Sequence, residues 1–144
     1  DPALGYRIDY KGRSISISGD TTCDQNLVKN SKNVDVLFHE SMSLELLDLI
    51  NHVAKSNNNF IADTVTIDIL DYHTLIMDVV KAANEANVKH RVCYHHLPAP
   101  RNQLMEDIMY RGVDDVMDKW TSSHDGTRII LPLDSKEILV DRIE

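Results

Sequence analysis

The sequence predicts a single α/β domain in which a β-sheet is layered with helices. Short apolar runs typical of strands alternate along the chain with stretches of helical period. The 144 residues are enough for one hydrophobic core and too few for two domains. Hydrophobic residues make up 42% and charged residues 26% of the chain, which is the composition of an ordinary globular protein. We therefore expect one domain over residues 1–144.

The first third of the chain predicts a hairpin, a short helix and a buried strand. In GYRIDYKGRSISISGD, apolar residues alternate with polar ones on both sides of a Lys11-Gly12 turn. The stretch TTCDQNLVKNSKN has helical spacing, with Thr22 or Asp24 as its N-cap. The apolar run from Val34 to Phe38 is typical of a strand buried on both faces.

The remainder alternates helices and strands. SMSLELLDLINHVAKS is an amphipathic helix capped by Ser43, and NNNFIADTVTIDILDY predicts a loop followed by an extended or mixed segment. HTLIMDVVKAANEANV predicts a helix, HRVCYHHL a strand, and the stretch after two prolines a helix that ends at Gly112. A turn at Asp125-Gly126 precedes one or two closing strands. The predicted order is β-β-α-β-α-(x)-α-β-α-β.

The charge and hydropathy of the chain argue against some classes of function and favour one cellular compartment. A net charge of −8 with scattered Lys and Arg argues against a broad phosphate-binding face. No apolar run approaches the ~20 residues that a membrane-spanning helix needs, and the start DPALGYRIDY is not a signal peptide. We expect free thiols at Cys23 and Cys93 rather than a disulfide, and a cytoplasmic location, although the absent Met suggests a trimmed chain that could have lost a signal.

Three consecutive predicted strands end in residues capable of chemistry. They end in Asp20, in His39-Glu40 and in His95-His96, while His73 begins a predicted helix. Residues at the ends of adjacent strands converge on one edge of an α/β sheet. A carboxylate with several imidazoles is a ligand set suited to Zn²⁺, Mn²⁺ or Fe. A metal site at this edge is therefore one interpretation.

Each of these residues also has a structural interpretation. Asp20 follows Gly19 and could only shape a turn. His39 could be hydrogen-bonded to backbone, and His73 could be solvated. In a regularly alternating strand only one of His95 and His96 can point at the site, and the other faces the opposite side. Spacing alone does not decide between these alternatives.

The chain resembles a known superfamily over nearly its whole length. GYRIDYKGRSISISGDTT, NVDVLFHE, YHTLIMDVVKAANEANVKHRVCYHHLPAP and HDGTRIILP, in this order, are similar to the C-terminal half of metallo-β-lactamase-fold hydrolases. The nearest branch holds the tRNA 3′-processing endonucleases (ribonuclease Z) and the arylsulfatase-like and phosphodiesterase-like enzymes. The resemblance implies half of an αββα sandwich, a mixed sheet with flanking helices. The superfamily's His-x-His-x-Asp-His motif belongs to the N-terminal half and is absent from this chain.

The resemblance assigns roles to the strand-end residues. Asp20 would bridge two divalent metal ions, Zn first and Mn or Fe as alternatives, and His96 would be a further ligand, with His95 as the alternative in a shifted register. His39 and Glu40 match a segment near the metals, and His73 matches a histidine proposed to assist the leaving group. These three are candidates for proton transfer rather than ligands.

The function implied is a metal-dependent hydrolase that acts on an ester or a phosphodiester, as a sulfatase, lactonase or nuclease-like enzyme does. Activity would need the missing N-terminal half, because Asp20 and His96 alone cannot hold two ions. The acidic balance favours a small substrate over long nucleic acid, and no membrane partner is expected. The apolar face of a half-fold predicts cover by the N-terminal half or by a second copy, in a homo-oligomer. The alternatives are an inactive fragment and a degenerate half-domain that serves in protein–protein interaction.

Overall fold

The computed structural model describes residues 3–56 and 69–143. The strands in these ranges are β1 (Tyr6–Tyr10), β2 (Arg13–Ile17), β3 (Val36–Met42), β4 (His90–Leu97), β5 (Trp120–Ser122), β6 (Thr127–Ile130) and β7 (Leu139–Arg142). The α-helices are α1 (Gln25–Asn30), α2 (Leu44–Ser56), α3 (Ile76–Glu85) and α4 (Gln103–Met109), and a 3₁₀ helix spans Ile69–Asp71. Within these ranges no helix is long and apolar enough to cross a lipid bilayer.

The first five strands form one mixed sheet in the order β1-β2-β3-β4-β5. The hairpin pair β1 and β2 is antiparallel, and β2 to β5 are parallel. Parallel neighbours need crossover connections, and the helices supply them. Strands β6 and β7 pair separately as an antiparallel hairpin. The predicted α/β class, a mixed sheet with flanking helices, is confirmed.

The hydrophobic core lies between the sheet and the helices. Leu37 and Cys93 face this side from β3 and β4, and both are buried. The core residues that pack with them come from α2, α3, α4, the segment after α4 and the residues before β3: Val34, Leu46, Ile76, Val80, Ala83, Met109, Tyr110, Val113 and Met117. This layer positions the carboxyl ends of β2, β3 and β4 side by side.

The opposite face of the sheet carries a second set of apolar side chains. Ile15 and Ile17 of β2 pair directly with Ile8 and Tyr6 of β1, and opposite partners share a face. Tyr6 and Ile8 are 62% and 50% exposed, and Tyr10 lies on the same face at 60%. We call Tyr6, Ile8 and Tyr10 the β1 apolar face. The exposed apolar surface expected of a half-fold is therefore present in the described residues.

A buried ion pair joins the central strands at their other end. The Asp35 carboxylate accepts hydrogen bonds from Arg13 Nε at 3.0 Å, Ser14 N at 2.8 Å and Lys89 Nζ at 2.7 Å. Arg13 also donates to the carbonyls of Pro132, Ser135 and Glu137. Asp35 thus links β2 to the residues before β4, and Arg13 fastens the C-terminal segment to the sheet.

Two element boundaries differ from the sequence-based expectations. The helix predicted from His73 begins at Ile76, because Leu75 is extended (φ −63°, ψ 140°) and bridges Met42 of β3. Strand β5 was not predicted, since three residues carry too short a pattern. Most of the segment predicted to be a loop and extended or mixed structure, residues 57–68, lies outside the described residues.

Candidate metal and proton-transfer site

The candidate site lies at the carboxyl ends of β2, β3 and β4. Asp20 follows β2, Glu40 lies near the end of β3, and His95 lies near the end of β4. His73 approaches from the segment before α3. The ligand atoms of Glu40, His73 and His95 all lie within 4.8 Å of one another. The convergence predicted from the strand ends is therefore present.

Glu40 and His73 form a buried pair. His73 Nδ1 lies 2.6 Å from Glu40 Oε2, and the two side chains are 7% and 0% exposed. Burial raises the pKa of the Glu40 carboxyl, and the hydrogen bond with His73 opposes that rise. The Nδ1–H donor and carboxylate acceptor together fix the orientation of the imidazole. The hydrogen bond to Glu40 thus uses Nδ1 of His73 and leaves Nε2 on the other side of the ring.

Backbone amides hold the other oxygen of Glu40. Oε1 accepts from Thr21 N at 3.0 Å and from Thr74 N at 3.2 Å. The Thr74 hydroxyl donates to the Thr21 carbonyl, so the loop after β2 is tied to the segment that carries His73. Each described hydrogen bond of the buried Glu40 carboxylate comes from a donor that the fold holds in place. Glu40 is therefore fixed well enough to orient His73.

His95 is the histidine that reaches Asp20. Its Nδ1 lies 2.7 Å from Asp20 Oδ1, and the two side chains are 41% and 54% exposed. Its ring also lies edge-on to His73, with the centroids 5.6 Å apart. The two carboxylate–histidine pairs, Asp20–His95 and Glu40–His73, therefore stand side by side.

A β-bulge explains why His95 rather than His96 points here. Glu40 of β3 pairs with Tyr94 and Ser41 pairs with His96, so His95 is an extra residue in β4. Its φ of +44° lies in the left-handed region that a non-glycine residue rarely adopts. The bulge redirects the side chain, as bulges at sheet edges commonly do.

His96 lies on the helix side of the sheet and does not contact Asp20. Its Nε2 donates to the Ser123 carbonyl at 2.7 Å, and its Nδ1 lies 2.6 Å from the Tyr110 hydroxyl. Burial lowers the pKa of His96, in keeping with a neutral ring that donates at one nitrogen and accepts at the other. Both nitrogens are occupied in this arrangement, so the geometry favours His95, the alternative in the shifted register, as the residue beside Asp20.

His39 also lies away from the site. As the neighbour of Glu40 in a strand it faces the core, where it is fully buried. Its Nδ1 donates to the Glu40 carbonyl at 2.8 Å, and its Nε2 has no hydrogen-bond partner. Burial lowers the pKa of His39 to about 4. The structure therefore separates His39 from the proton-transfer pair with which it was grouped.

Several residues that shape the site were not found from the sequence. Thr21 and Thr74 contact Glu40 through backbone amides, which no side-chain pattern signals. Tyr110, directly after α4, and Ser123, directly after β5, hold His96 by hydrogen bonds. Only the doubled histidine at positions 95 and 96 signalled that β4 might not alternate regularly.

The donor set fits a divalent metal ion. Carboxylate oxygen and imidazole nitrogen suit Zn²⁺, Mn²⁺ or Fe, and such atoms of Glu40, His73 and His95 lie within 4.8 Å of one another. Glu40 and His73 are paired with each other, which leaves His95, with Asp20 beside it, available to an ion. Asp20 and His95 are exposed at this edge, whereas Glu40 and His73 are buried. The cavity of about 350 Å³ between β1, β2 and α1 is not lined by any of these four residues. Further ligands and a lid would have to come from another segment.

Comparison with known proteins gives relatives of one superfamily. The chain is 28% identical over 98 residues to ribonuclease Z of Mycobacterium tuberculosis (strain H37Rv) and 26% identical over the same length to that of Mycobacterium avium. These alignments cover 68% of this chain and 32% and 31% of the relatives. The chain thus spans about a third of the length of the curated relatives that it matches. No family model matches.

Solved structures agree in fold. The metallo-β-lactamase fold protein YhfI from Bacillus subtilis superposes with a TM-score of 0.53 at 13% identity, over 79% of this chain and 38% of that one. Human tRNase Z, short form, gives a TM-score of 0.49 at 20% identity, over 84% and 34% of the two chains. The likeness to YhfI confirms the predicted fold, and the ribonuclease Z relatives agree with the predicted superfamily.

Proposed function

We propose that this chain is the C-terminal half of a metal-dependent hydrolase that cleaves phosphodiesters. The observation that carries the proposal is the convergence of the Asp20–His95 and Glu40–His73 pairs at one edge of the sheet. RNA is the favoured substrate class, because the sequence relatives are named ribonuclease Z. The acidic balance of this chain, which argued for a small ester, would then be offset by basic residues outside it.

Asp20 and His95 are the residues of this chain that would hold metal. Asp20 has a second carboxylate oxygen besides the one that contacts His95, as a residue shared between two cations needs. Zinc is the first expectation, and the remaining ligands would come from an N-terminal half with the His-x-His-x-Asp-His motif. A divalent cation supplies Lewis acidity, which polarises the scissile ester and lowers the pKa of water.

Glu40 and His73 would handle the proton of the leaving group. Glu40 is fixed by the amides of Thr21 and Thr74, and it orients His73 through Nδ1. Among the described residues no hydrogen bond engages His73 Nε2, and this nitrogen would donate a proton to the departing oxygen. General acid catalysis of this kind typically contributes about 10²–10⁴-fold to a rate.

The test needs the complete fold, this chain with an N-terminal half that carries the metal motif. We would measure its metal content by elemental analysis and its hydrolysis of bis(p-nitrophenyl) phosphate and of an RNA with a 3′ extension. The proposal predicts metal-dependent cleavage that Asp20→Asn abolishes with loss of metal, whereas His52→Ala, a change on the exposed side of α2, leaves both unchanged. A metal-free, inactive complete protein would refute the proposal.

The β1 apolar face supports a second candidate function. A half-domain that binds a partner protein through Tyr6, Ile8 and Tyr10 would need this exposed face and no metal. The same metal analysis separates the two candidates. A complete protein without metal that forms a stable complex through this face would favour the interaction domain.

A further inference from the structure

We propose that His96, Tyr110 and Ser123 are positioning residues that hold the β4 bulge in the form that turns His95 to Asp20. The inference rests on the proposed function in taking His95 as a metal ligand. It goes further in explaining how the chain selects one of two adjacent histidines. We call these three residues, together with Ser41, the bulge lock.

The bulge needs a stabilising partner. His95 has a φ of +44°, and its side chain is 41% exposed, so core packing does not force the strained backbone. Its side chain makes a hydrogen bond with Asp20, itself an exposed residue, and an edge-on ring contact with His73, and neither contact fixes the backbone. The free energy that keeps the bulge must therefore come from the residues beside it.

The bulge lock supplies a chain of hydrogen bonds in the interior. Ser41 Oγ lies 3.0 Å from the Tyr110 hydroxyl, which lies 2.6 Å from His96 Nδ1. His96 Nε2 in turn donates to the Ser123 carbonyl at 2.7 Å. Ser41 is fully buried and Tyr110 is 6% exposed, so a broken link would leave a buried polar group without its partner.

Ser123 closes the bulge from both sides. Its amide and its hydroxyl donate to the Cys93 carbonyl at 2.9 and 2.7 Å, and its own carbonyl accepts from His96. Ser123 therefore bonds Cys93 and His96, the residues of β4 on either side of Tyr94 and His95. The two residues between these contacts must bulge outward or lose one of them.

The lock also excludes the other register. Tyr94 shares the face of Glu40, so regular alternation from Tyr94 would put His95 on the helix side and His96 on the side of the site. His96 would then give up both Tyr110 and Ser123. The bulged register keeps these contacts, and it is the register that brings His95 to Asp20.

The first experiment uses the 144-residue chain without metal. The ring protons of His73 and His95, whose centroids lie 5.6 Å apart, should show a nuclear Overhauser effect. Tyr110→Phe removes one hydroxyl and should weaken that effect several-fold while the fold is retained. Tyr10→Phe, the same change at an exposed position, should leave it unchanged. An undiminished effect in Tyr110→Phe would overturn the inference.

A smaller change covers the case in which Tyr110→Phe does not fold. Ser41→Ala deletes the hydroxyl at the start of the hydrogen-bond chain and creates little empty volume. It should weaken the same His73–His95 signal, although less than Tyr110→Phe. A folded Ser41→Ala with the full signal would count against the lock.

The second experiment adds Zn²⁺ and follows the histidine resonances. We expect the His95 signals to shift, and we expect Tyr110→Phe and His96→Ala each to weaken Zn²⁺ binding by about tenfold, as loss of a supporting residue typically does. Binding that is lost in His96→Ala and unchanged in Tyr110→Phe would make His96 the ligand and refute the inference. Absence of Zn²⁺ binding in every variant would mean that the ligands of this chain need the N-terminal half, and the metal-free measurement would then decide for or against the lock by itself.

Discussion

His73 has one imidazole nitrogen bonded to Glu40, and within residues 3–56 and 69–143 no hydrogen bond is made by the other nitrogen. This asymmetry gives a prediction about leaving groups in the complete enzyme. His73→Ala should slow hydrolysis of a substrate with an alkoxide leaving group, such as RNA, by about 10²–10⁴-fold. It should slow hydrolysis of a p-nitrophenyl ester far less, because p-nitrophenolate departs without a proton.

The comparison needs the metal content of the variant to equal that of the wild type. His124→Ala, at an exposed histidine outside the pair, serves as the matched control. Equal losses with both leaving groups would mean that His73 supports the structure or the metal and does not donate a proton.

His39 gives a prediction about stability. Its pKa is about 4 in the folded chain and about 6.5 when unfolded, so the unfolded chain takes up the proton first as the pH falls. The contribution of neutral His39 to the free energy of unfolding is complete above about pH 6.5. It falls by about 3 kcal/mol in all as the pH drops towards 4. His39→Leu should remove this part of the pH dependence.

Urea unfolding at pH 7, 6, 5 and 4 measures the effect. Two partly buried histidines, His90 and His96, also have lowered pKa values and will keep some slope in the variant. The exposed change His52→Leu should leave the wild-type slope. If His39→Leu kept the full dependence of its unfolding free energy on pH, the lowered pKa of buried His39 would be contradicted.

At the scale of secondary-structure elements, Asp35 connects β2, β3 and the start of β4. Contacts with Lys89, Ser14 and Arg13 outweigh burial and lower the pKa of Asp35 to about 2. A carboxyl with a lowered folded pKa stabilises the fold above its unfolded pKa of about 3.9, and that contribution is lost as the pH falls through 2. We expect Asp35→Asn to cost about 3 kcal/mol at pH 7, since it leaves Arg13 buried without its counter-charge.

The difference between wild type and Asp35→Asn should shrink between pH 4 and pH 2, where the wild-type carboxyl also becomes neutral. Thermal unfolding across that range is the measurement. Asp9→Asn, at an exposed pair with Arg7, is the control and should change little. A difference that stays constant with pH would argue that packing rather than charge is lost.

The site shows what sequence can and cannot predict at this scale. Strand ends carrying Asp20, Glu40 and His95-His96 were visible because a buried strand gives an apolar run that stops at polar residues. The sequence did not show which of the two histidines points at the site, because the bulge depends on Tyr110 and Ser123, which are distant from it in sequence. Likewise the face taken by His39 follows from the phase of β3, and a continuous apolar run does not reveal that phase.

At the scale of the whole molecule, the described residues cover the helix side of the sheet. On the other side Val36 and Val92 are buried, and the β1 apolar face is exposed. The isolated chain should therefore self-associate through the β1 apolar face. Ile8→Lys places a charge at its centre and should shift the chain towards the monomer in sedimentation equilibrium. Ile143→Lys, at an exposed apolar residue outside this face, should not.

A complete fold that includes the N-terminal half should not self-associate as its concentration rises, because the β1 apolar face would already be covered. A wild-type chain that is a monodisperse monomer at high concentration would contradict the half-fold interpretation. The fold class itself could be predicted from element order, whereas the partner on this face could not, since one sequence contains no record of what covers it.

Glu40 also bears on how the chain acquires its site in time. Its side chain contacts Thr21, His73 and Thr74, which are separated from it by 19, 33 and 34 positions in the sequence. The chain must therefore close long loops before any of these hydrogen bonds can form. Contacts of such separation arise late in folding, after local helices and the hairpin. A nascent or partly folded chain therefore has no ordered site, and capture of a metal ion there would report that folding is complete.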